Sequence, residues 1–250
     1  MTLPSSTKLQ VVSISKTFTA KKSRTEVLQN ISFSVEQSEV VCLIGPSGCG
    51  KSTLFNVISG LDQPTTGSIE HSGDLAMMFQ EPALLPWLSV EKNVAFGLDR
   101  SQYSAVKTAE AVERYLKIVG LEQFGKSYPH ELSGGMKQRA ALARTLIIEP
   151  SIILMDEPFS ALDAQTRERL QQFVQTLLKD YPVSIVFVTH DVREAVVLGD
   201  RVFVLTKRPA HIRHEYKIDI PRPRRSFDAA IDPYVKEITE QLQTETLLYT

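Results

Sequence analysis

The sequence predicts an α/β fold with a mostly parallel sheet at its core. Two apolar runs of strand length, Val40–Ile44 and residues 152–155, are each bounded by polar or turn-forming residues. The first run leads into a glycine-rich loop and then into STLFNVISG, whose apolar residues recur at helical spacing and which stops at Gly60. A strand, a loop and a helix in this order are typical of a parallel sheet covered by helices.

The composition indicates a globular protein and excludes several classes. Of its 250 residues, 42% are hydrophobic and 23% charged, enough for a substantial core in one or two domains. The net charge of -1 provides no strongly basic surface, so we expect no nucleic-acid partner. No apolar run approaches the roughly 20 residues needed to cross a bilayer, and no signal-peptide segment follows MTLPSSTK. Because Cys42 and Cys49 make no disulfide framework, we expect a cytoplasmic setting.

The glycine-rich loop after the first strand matches the phosphate-loop pattern G-x-x-x-x-G-K-[ST]. Its residues are Gly45, Pro46, Ser47, Gly48, Cys49, Gly50, Lys51 and Ser52, followed by Thr53. Glycines allow successive backbone N–H groups to surround a polyphosphate, and the following helix directs its positive end at the same oxygens. We expect Lys51 to reach the β and γ phosphates and Ser52 to ligate Mg²⁺. The alternative, a glycine-rich turn without a ligand, is disfavoured by the flanking strand and helix.

Two adjacent acids end the second apolar run, in the stretch SIILMDEP. Carboxylates are rarely buried unless they are paired or bound to a metal, so acids that close a buried strand suggest a site. We expect Asp156 to hold Mg²⁺, directly or through water, and Glu157 to act as the general base for the water that attacks the γ phosphate. The alternative is a solvated strand end.

A third motif, LSGGMKQR at residues 132–139, resembles the signature of the ATP-binding-cassette ATPases. The resemblance covers nearly the whole chain, with the landmarks of that family in their usual order. It implies a P-loop NTPase fold of the ABC ATPase type, with a parallel core, an N-terminal antiparallel β subdomain and an inserted helical subdomain. It also implies ATP and Mg²⁺ as the ligands and ATP hydrolysis as the activity.

The resemblance assigns roles to four further residues. Phe18 matches the aromatic that stacks on adenine, although an aromatic so near the N-terminus is more often part of a core. Gln80 matches the glutamine that senses Mg²⁺ and the attacking water, the alternative being a plain loop residue. Asp163 matches a residue that contacts the opposite subunit, but it is equally suited to cap the next helix. His190 matches the histidine that touches the γ phosphate and is expected to take part in catalysis.

The resemblance also implies a second subunit. In this family the residues that match Ser133, Gly134 and Gly135 close on the γ phosphate held by the partner subunit. The chain carries one copy of each motif, so two copies, or one copy and a closely related ATPase, must meet head to tail across a two-fold axis.

The chain is expected to form one ATPase domain, residues 1–250. Residues 84–144 are predicted to form the helical subdomain, ending in the signature helix. Residues 206–250 are predicted to be a short C-terminal tail with a helix from Pro233 to about Leu248. Two departures from the family pattern are Ser38, where a glycine is usual before the strand, and Lys137, where arginine or glutamine is commoner.

The segment EPALLPWLSVEKNVAFGL resembles the part of importer ATPases that holds a coupling helix of the membrane permease. We expect Leu84, Leu85 and Trp87 to be exposed and to form an apolar groove for that helix. The tail, with KRPAHI and IPRPR, resembles that of nitrate, sulfonate, taurine and bicarbonate importers. This implies a peripheral protein at the cytoplasmic face of the cell membrane, working with permease subunits and an extracytoplasmic solute-binding protein.

Two other classes share the phosphate chemistry. A soluble cassette ATPase that is not coupled to a membrane would carry the same motifs, although such chains usually fuse two cassettes or insert long coiled coils. A P-loop kinase would transfer phosphate to a small molecule, and the signature motif argues against it.

Overall fold

The computed structural model describes residues 3–4, 6–20, 23–98, 104–160 and 162–247. Its strands are β1 (Thr7–Ala20), β2 (Ser23–Glu36), β3 (Val40–Ile44), β4 (Thr66–His71), β5 (Leu75–Met78), β6 (Ile152–Asp156), β7 (Ser184–Thr189), β8 (Arg201–Leu205) and β9 (Ile212–Lys217). Its α-helices are α1 (Lys51–Ile58), α2 (Val90–Ala95), α3 (Ala105–Ile118), α4 (Gly134–Leu146), α5 (Ala164–Asp180), α6 (Val192–Leu198) and α7 (Asp232–Leu247). The predicted α/β class is confirmed.

The core is a six-stranded sheet with the order β5-β6-β7-β3-β8-β9. The first five strands in this order, β5, β6, β7, β3 and β8, are parallel to one another. The edge strand β9 pairs antiparallel with β8. Strand β3 is buried at every residue: Val41 and Leu43 face the core that contains α1, whereas Val40 and Ile44 face the core that contains α4 and α6. Cover on both faces is the reason the strands of a parallel sheet are continuously apolar.

A second sheet lies at the N-terminus, as predicted. It has three antiparallel strands in the order β2-β1-β4. Its inner face shares a core with α1 through Leu9, Ile14 and Leu28, all fully buried, together with Leu54 and Phe55 of α1. This packing holds the hairpin of β1 and β2 beside the start of α1.

The segment predicted to form the helical subdomain, residues 84–144, is largely helical in its described part. It contains α2, α3 and the signature helix α4, which continues to Leu146, two residues past the predicted end at residue 144. Residues 99–103 of this insert lie outside the described residues. None of the helices in the described ranges is long and apolar enough to cross a membrane.

The C-terminal segment is more tightly integrated than a tail. Strand β9 extends the core sheet, and α7 packs on the core through the fully buried Ile238. Helix α7 matches the helix predicted from Pro233, whose predicted end at Leu248 lies outside the described residues. Strand β9 was missed because it is a half-exposed edge strand whose alternating residues are mostly polar.

The unusual Ser38 lies in a strained turn between β2 and β3. Its φ is 60°, a left-handed conformation that costs a residue with a Cβ roughly 1–2 kcal/mol. The N–H of Ser38 donates to the hydroxyl of Ser184, at 3.0 Å, which fixes the turn against β7. Glycine would fit this backbone without strain, so the departure from the family pattern has a conformational cost.

The signature helix α4 packs against α5 at one very close point. A Cβ on Gly135 would lie 2.3 Å from Cγ2 of Thr166, whereas the next nearest atom, Cβ of Thr166, would be at 3.7 Å. A Cβ on Gly134 would meet only Cδ2 of Leu162, at 3.8 Å. The second glycine of the motif is therefore required by packing within the chain.

We predict that Gly135→Ala lowers the free energy of unfolding by about 1–3 kcal/mol, since the added methyl overlaps that of Thr166. Adding Thr166→Ser removes the opposing methyl and should restore most of this loss. Gly134→Ala is the matched control and should be neutral or stabilising, because its Cβ has room and alanine favours the helix. Urea unfolding of the four proteins measures these values. Equal losses for the two alanine variants would contradict the packing argument.

Candidate active site

Four groups of predicted site residues lie at the carboxyl-terminal edge of the parallel sheet. The phosphate loop follows β3, Gln80 follows β5, Asp156 and Glu157 close β6, and His190 follows β7. Ligands of open α/β sheets bind in the crevice at this edge. The fold thus brings groups that are far apart in the sequence into one region.

The phosphate loop has a backbone that glycine makes possible. Gly48 and Gly50 have φ values of 73° and 126°. A Cβ on Gly50 would lie 2.8 Å from Cγ1 of Val27 in β2, so the N-terminal sheet covers this part of the loop. Gly50 caps α1 without a side-chain hydrogen bond, so no cap side chain competes with an anion at the start of the helix.

Lys51 is the buried cation of the loop. Its Nζ donates to the carbonyl oxygens of Gly45 and Pro46, at 2.7 and 3.1 Å. The ammonium is therefore held inside the loop, in the space that the loop backbone encloses. A phosphate there would meet a positive charge that is already in place.

The other loop residues divide into exposed and buried positions. Ser47, Gly48 and Ser52 are exposed and Thr53 is half-buried, whereas the side chain of Cys49 is 2% exposed. Burial raises the pKa of the Cys49 thiol, with Lys51 acting in the opposite direction. Cys49 can therefore offer a ligand its backbone, but its thiol is shielded and its thiolate disfavoured.

Asp156 is a half-buried carboxyl group at the end of β6. Burial raises its pKa, the nearby Glu157 adds to this, and a hydrogen bond with Ser52 together with the charge of Lys51 lowers it in part. Because burial and Glu157 disfavour the charged carboxylate, a bound cation would stabilise it, and the environment of Asp156 therefore suits a cation.

Glu157 and His190 form the central pair of the site. Nδ1 of His190 lies 3.1 Å from Oε2 of Glu157, with the imidazole more exposed than the carboxylate. Glu157 has a φ of 44°, unusual for a residue with a Cβ, and its N–H donates to the carbonyl of Val188, at 3.0 Å. Backbone strain of this kind persists only where the surrounding structure holds the residue in place, and it is commonest at active sites.

Gln80 joins this pair through a serine that the sequence interpretation did not single out. Nε2 of Gln80 donates to the hydroxyl of Ser160, at 3.2 Å, and that hydroxyl donates to the carbonyl of Glu157, at 3.0 Å. The exposed glutamine is thus tied to the loop that carries the acids. Ser160 belongs to the same loop as Asp163, and that proximity is the one sequence signal that could have indicated it.

The signature residues lie at the start of α4, and only some of them are exposed. Ser133 caps the helix, its hydroxyl accepting from the N–H of Met136 at 3.3 Å, and both Ser133 and Gly134 are exposed. Further along α4, Gln138 is buried and donates to the carbonyl of Pro158, at 2.6 Å. This bond links the signature helix to the acid-bearing loop and was not predicted.

Asp163 caps helix α5, one of the two roles that the sequence left open. Its carboxylate accepts from the N–H of Thr166, at 3.0 Å, and hydrogen bonding by Thr166 lowers its pKa. The residue is exposed, so the cap does not occupy all of its surface. The neighbouring Ala161 lies outside the described residues.

Phe18 lies on the separate antiparallel sheet and does not join the acids. It is 46% exposed, which excludes the alternative of a core aromatic. Nζ of Lys16 lies 4.9 Å from the centre of its ring, on one face. The ring is thus an open, flat surface next to a cation.

The predicted apolar groove at residues 84–87 needs a correction. Leu84 and Leu85 are half-buried, and Leu84 packs against the core, whereas Trp87 is 70% exposed. The fully buried Asn93 fixes this loop, donating to the carbonyl of Leu85 and accepting from its N–H, at 3.1 and 2.7 Å. Leu84 therefore anchors the segment by packing and Asn93 holds the backbone of Leu85, whereas Trp87 is the most exposed of the three apolar residues.

The arrangement suits the cleavage of a phosphoanhydride bond by water. The loop and Lys51 provide donors for phosphate oxygens, and a carboxylate backed by an imidazole lies beside them. Magnesium fits the residues present: it prefers oxygen ligands and takes only one or two protein carboxylates when phosphates supply the rest, and Asp156 and Ser52 offer a carboxylate and a hydroxyl side by side.

Comparison with known proteins points to the same chemistry. The family model described as "ABC transporter" matches residues 28–160. The chain is 43% identical over 221 residues to a nitrate import ATP-binding protein of Synechocystis, covering 85% of this chain and 83% of that protein. It is 44% identical over 208 residues to a taurine import ATP-binding protein of Pelagibacter ubique, covering 80% and 78%.

A solved structure supports the fold. The chain resembles an ATP-binding cassette solved as a dimer in a post-hydrolysis state with ADP and Pi, with a TM-score of 0.75 and 30% identity. The match covers 85% of this chain and 100% of the other. With a family model that matches more than half of its length and relatives above 40% identity, the chain belongs to the ABC transporter family and is one of its ATP-binding cassette ATPases.

Proposed function

We propose that the chain is the ATP-hydrolysing subunit of an importer, in which two copies enclose two Mg-ATP and drive a small solute through separate permease subunits. The observation that carries the chemistry is the pair of Glu157 and His190, 3.1 Å apart at the sheet edge that also carries the phosphate loop. The relatives are nitrate, taurine and aliphatic sulfonate import ATP-binding proteins, which supports import of a small anionic or zwitterionic solute. Bicarbonate is a further candidate from the resemblance of the C-terminal tail alone.

Hydrolysis depends on the position of a water molecule. In this proposal the backbone of residues 45–53 and Lys51 hold the β and γ phosphates, so the γ phosphorus lies near Glu157. The Glu157 carboxylate accepts a proton of the attacking water, while His190 orients that carboxylate and approaches the γ phosphate. Gln80, tied to the same loop through Ser160, reports whether the site is filled.

Magnesium would be held by Ser52 and Asp156, with Gln80 nearby. When bound, it neutralises charge on the β and γ phosphates. Adenine would stack on the open face of Phe18, whose exposure suits an aromatic ligand.

The second copy completes each site in this proposal. Ser133 and Gly134 are exposed at the start of α4, where their N–H groups and the helix dipole favour an anion. They would close on the γ phosphate of the partner subunit, and the exposed Asp163 would lie at the same interface. The dimeric state of the related cassette with ADP and Pi supports this arrangement.

The proposed location is the cytoplasmic face of a membrane, held there by the permease. Residues 84–87 present Trp87 at the surface, on a loop fixed by Asn93. An exposed tryptophan on a rigid loop is a suitable anchor for a helix of the permease. An extracytoplasmic solute-binding protein would complete the importer. The single domain of residues 1–250, with the helical subdomain at 84–144, would serve as its motor.

Glu157→Gln should bind ATP and hydrolyse it at least about 100-fold more slowly, because the amide cannot accept the proton of the attacking water. With ATP retained, the closed dimer should accumulate and be visible by size-exclusion chromatography with light scattering. The control is Lys51→Ala in the same background, which should not dimerise because it loses phosphate contacts. A Glu157→Gln protein that stays monomeric with ATP bound would contradict the shared-site proposal.

Trp87→Asp should separate ATP hydrolysis from assembly. A carboxylate at the anchor point would disfavour docking by a few kcal/mol, whereas the melting temperature and basal ATPase rate should change little because Trp87 is exposed. The control is Phe227→Asp, an aromatic of similar exposure outside the insert. Co-purification with a co-expressed importer permease measures the effect. Normal recovery with Trp87→Asp would remove this residue from the interface.

A further inference from the structure

Arg167, in the first turns of α5, connects two loops of the site. Its guanidinium donates from one terminal nitrogen to the carbonyl of Leu162, at 3.1 Å. The other terminal nitrogen lies 3.6 Å from a carboxylate oxygen of Asp191. Leu162 belongs to the loop that follows the acids, and Asp191 directly follows His190.

Asp191 in turn fixes the turn that carries His190. Its carboxylate accepts from the N–H groups of Arg193 and Glu194, at 2.9 and 3.2 Å, and so begins α6. The N–H of Asp191 donates to the hydroxyl of Thr189, at 3.1 Å. A displacement of the Asp191 carboxylate would therefore disturb the start of α6, directly after His190.

These contacts form a closed ring. The acid-bearing loop runs from Glu157 to Leu162, whose carbonyl accepts a hydrogen bond from Arg167. Arg167 pairs with Asp191, the residue that follows His190 in the sequence. The ring closes where Nδ1 of His190 lies 3.1 Å from Oε2 of Glu157. In a closed ring the separation of the imidazole and the carboxylate depends on every link. Arg167 bridges the two loops through its side chain, in addition to the backbone hydrogen bond from the N–H of Glu157 to the carbonyl of Val188.

We propose that Arg167 is a positioning residue for ATP hydrolysis, which sets the geometry of Glu157 and His190 by holding Leu162 and Asp191 together. The inference rests on the proposed roles of Glu157 and His190. Nε of Arg167 is buried without a hydrogen-bond partner in the described part of the chain. Such burial costs free energy, so the contacts of the two terminal nitrogens must offset it.

The effect should fall on catalysis more than on stability. The Arg167–Asp191 pair is about one-third exposed on each side, and ion pairs with this exposure add little to stability. A loosened catalytic pair, by contrast, lowers kcat steeply, because small errors in position are costly in the transition state. Arg167 does not belong to the phosphate loop, so the KM for ATP should be nearly unchanged.

The test is a double-mutant cycle on the full chain with Arg167→Met and Asp191→Asn. Asparagine still caps a helix, so the second variant removes the charge and keeps the start of α6. Each single variant should lower kcat about tenfold, with KM within about twofold of the parent, and the double variant should lose little more than either. Arg167→Lys, which keeps the charge, should recover part of the loss. Arg169→Met, an exposed arginine of the same helix, is the control.

The outcomes separate this inference from the proposed function. An inactive parent chain, or an active Glu157→Gln, would overturn the proposed function itself. An active parent with a normal kcat for Arg167→Met would overturn only the role of Arg167. Additive losses, or kcat and melting temperature falling together, would mean that Arg167 and Asp191 support the fold independently. If Arg167→Met does not fold, Asp191→Asn alone tests the pair: a normal kcat for that variant would overturn the role of Arg167, and a lower kcat with an unchanged KM and melting temperature would support it.

Discussion

The register of three adjacent parallel strands, β6, β7 and β3, is the constraint on which the site depends. Asp156 pairs with Val188, and Ile44 pairs with Thr189, so the acids, His190 and the phosphate loop leave the sheet at the same level. A slip of one residue would turn each side chain to the other face of the sheet. Burial of both faces prevents such a slip, because every residue of β3 and β7 is buried.

The sequence predicted well the features that depend on local pattern. The buried strands, the phosphate loop and the helical insert are marked by apolar runs, glycines and helical spacing, and each lies where expected. Strand β9 was missed because an edge strand needs no apolar alternation. The burial of Leu84 was missed because apolar residues in a loop indicate either an interface or an anchor, and only the packing decides between them.

Contacts between distant segments could not be predicted. The two glycines of LSGGMKQR look alike in sequence, yet only Gly135 lies against Thr166. Gln138 and Arg167 read as ordinary polar helix residues until the fold brings them to the carbonyls of Pro158 and Leu162. Together these contacts join the signature helix, the acid-bearing loop and the turn of His190. A partner that closed on the signature could therefore shift the positions of Glu157 and His190.

The most direct test of the account is complementation between two inactive variants, Lys51→Ala and Ser133→Arg. If each site combines the phosphate loop of one copy with the signature of the other, a mixed dimer has one site with both defects and one intact site. An equal mixture should then recover up to about a quarter of the parent ATPase rate, since half of the dimers are mixed. A mixture no more active than the separate variants would contradict the shared site.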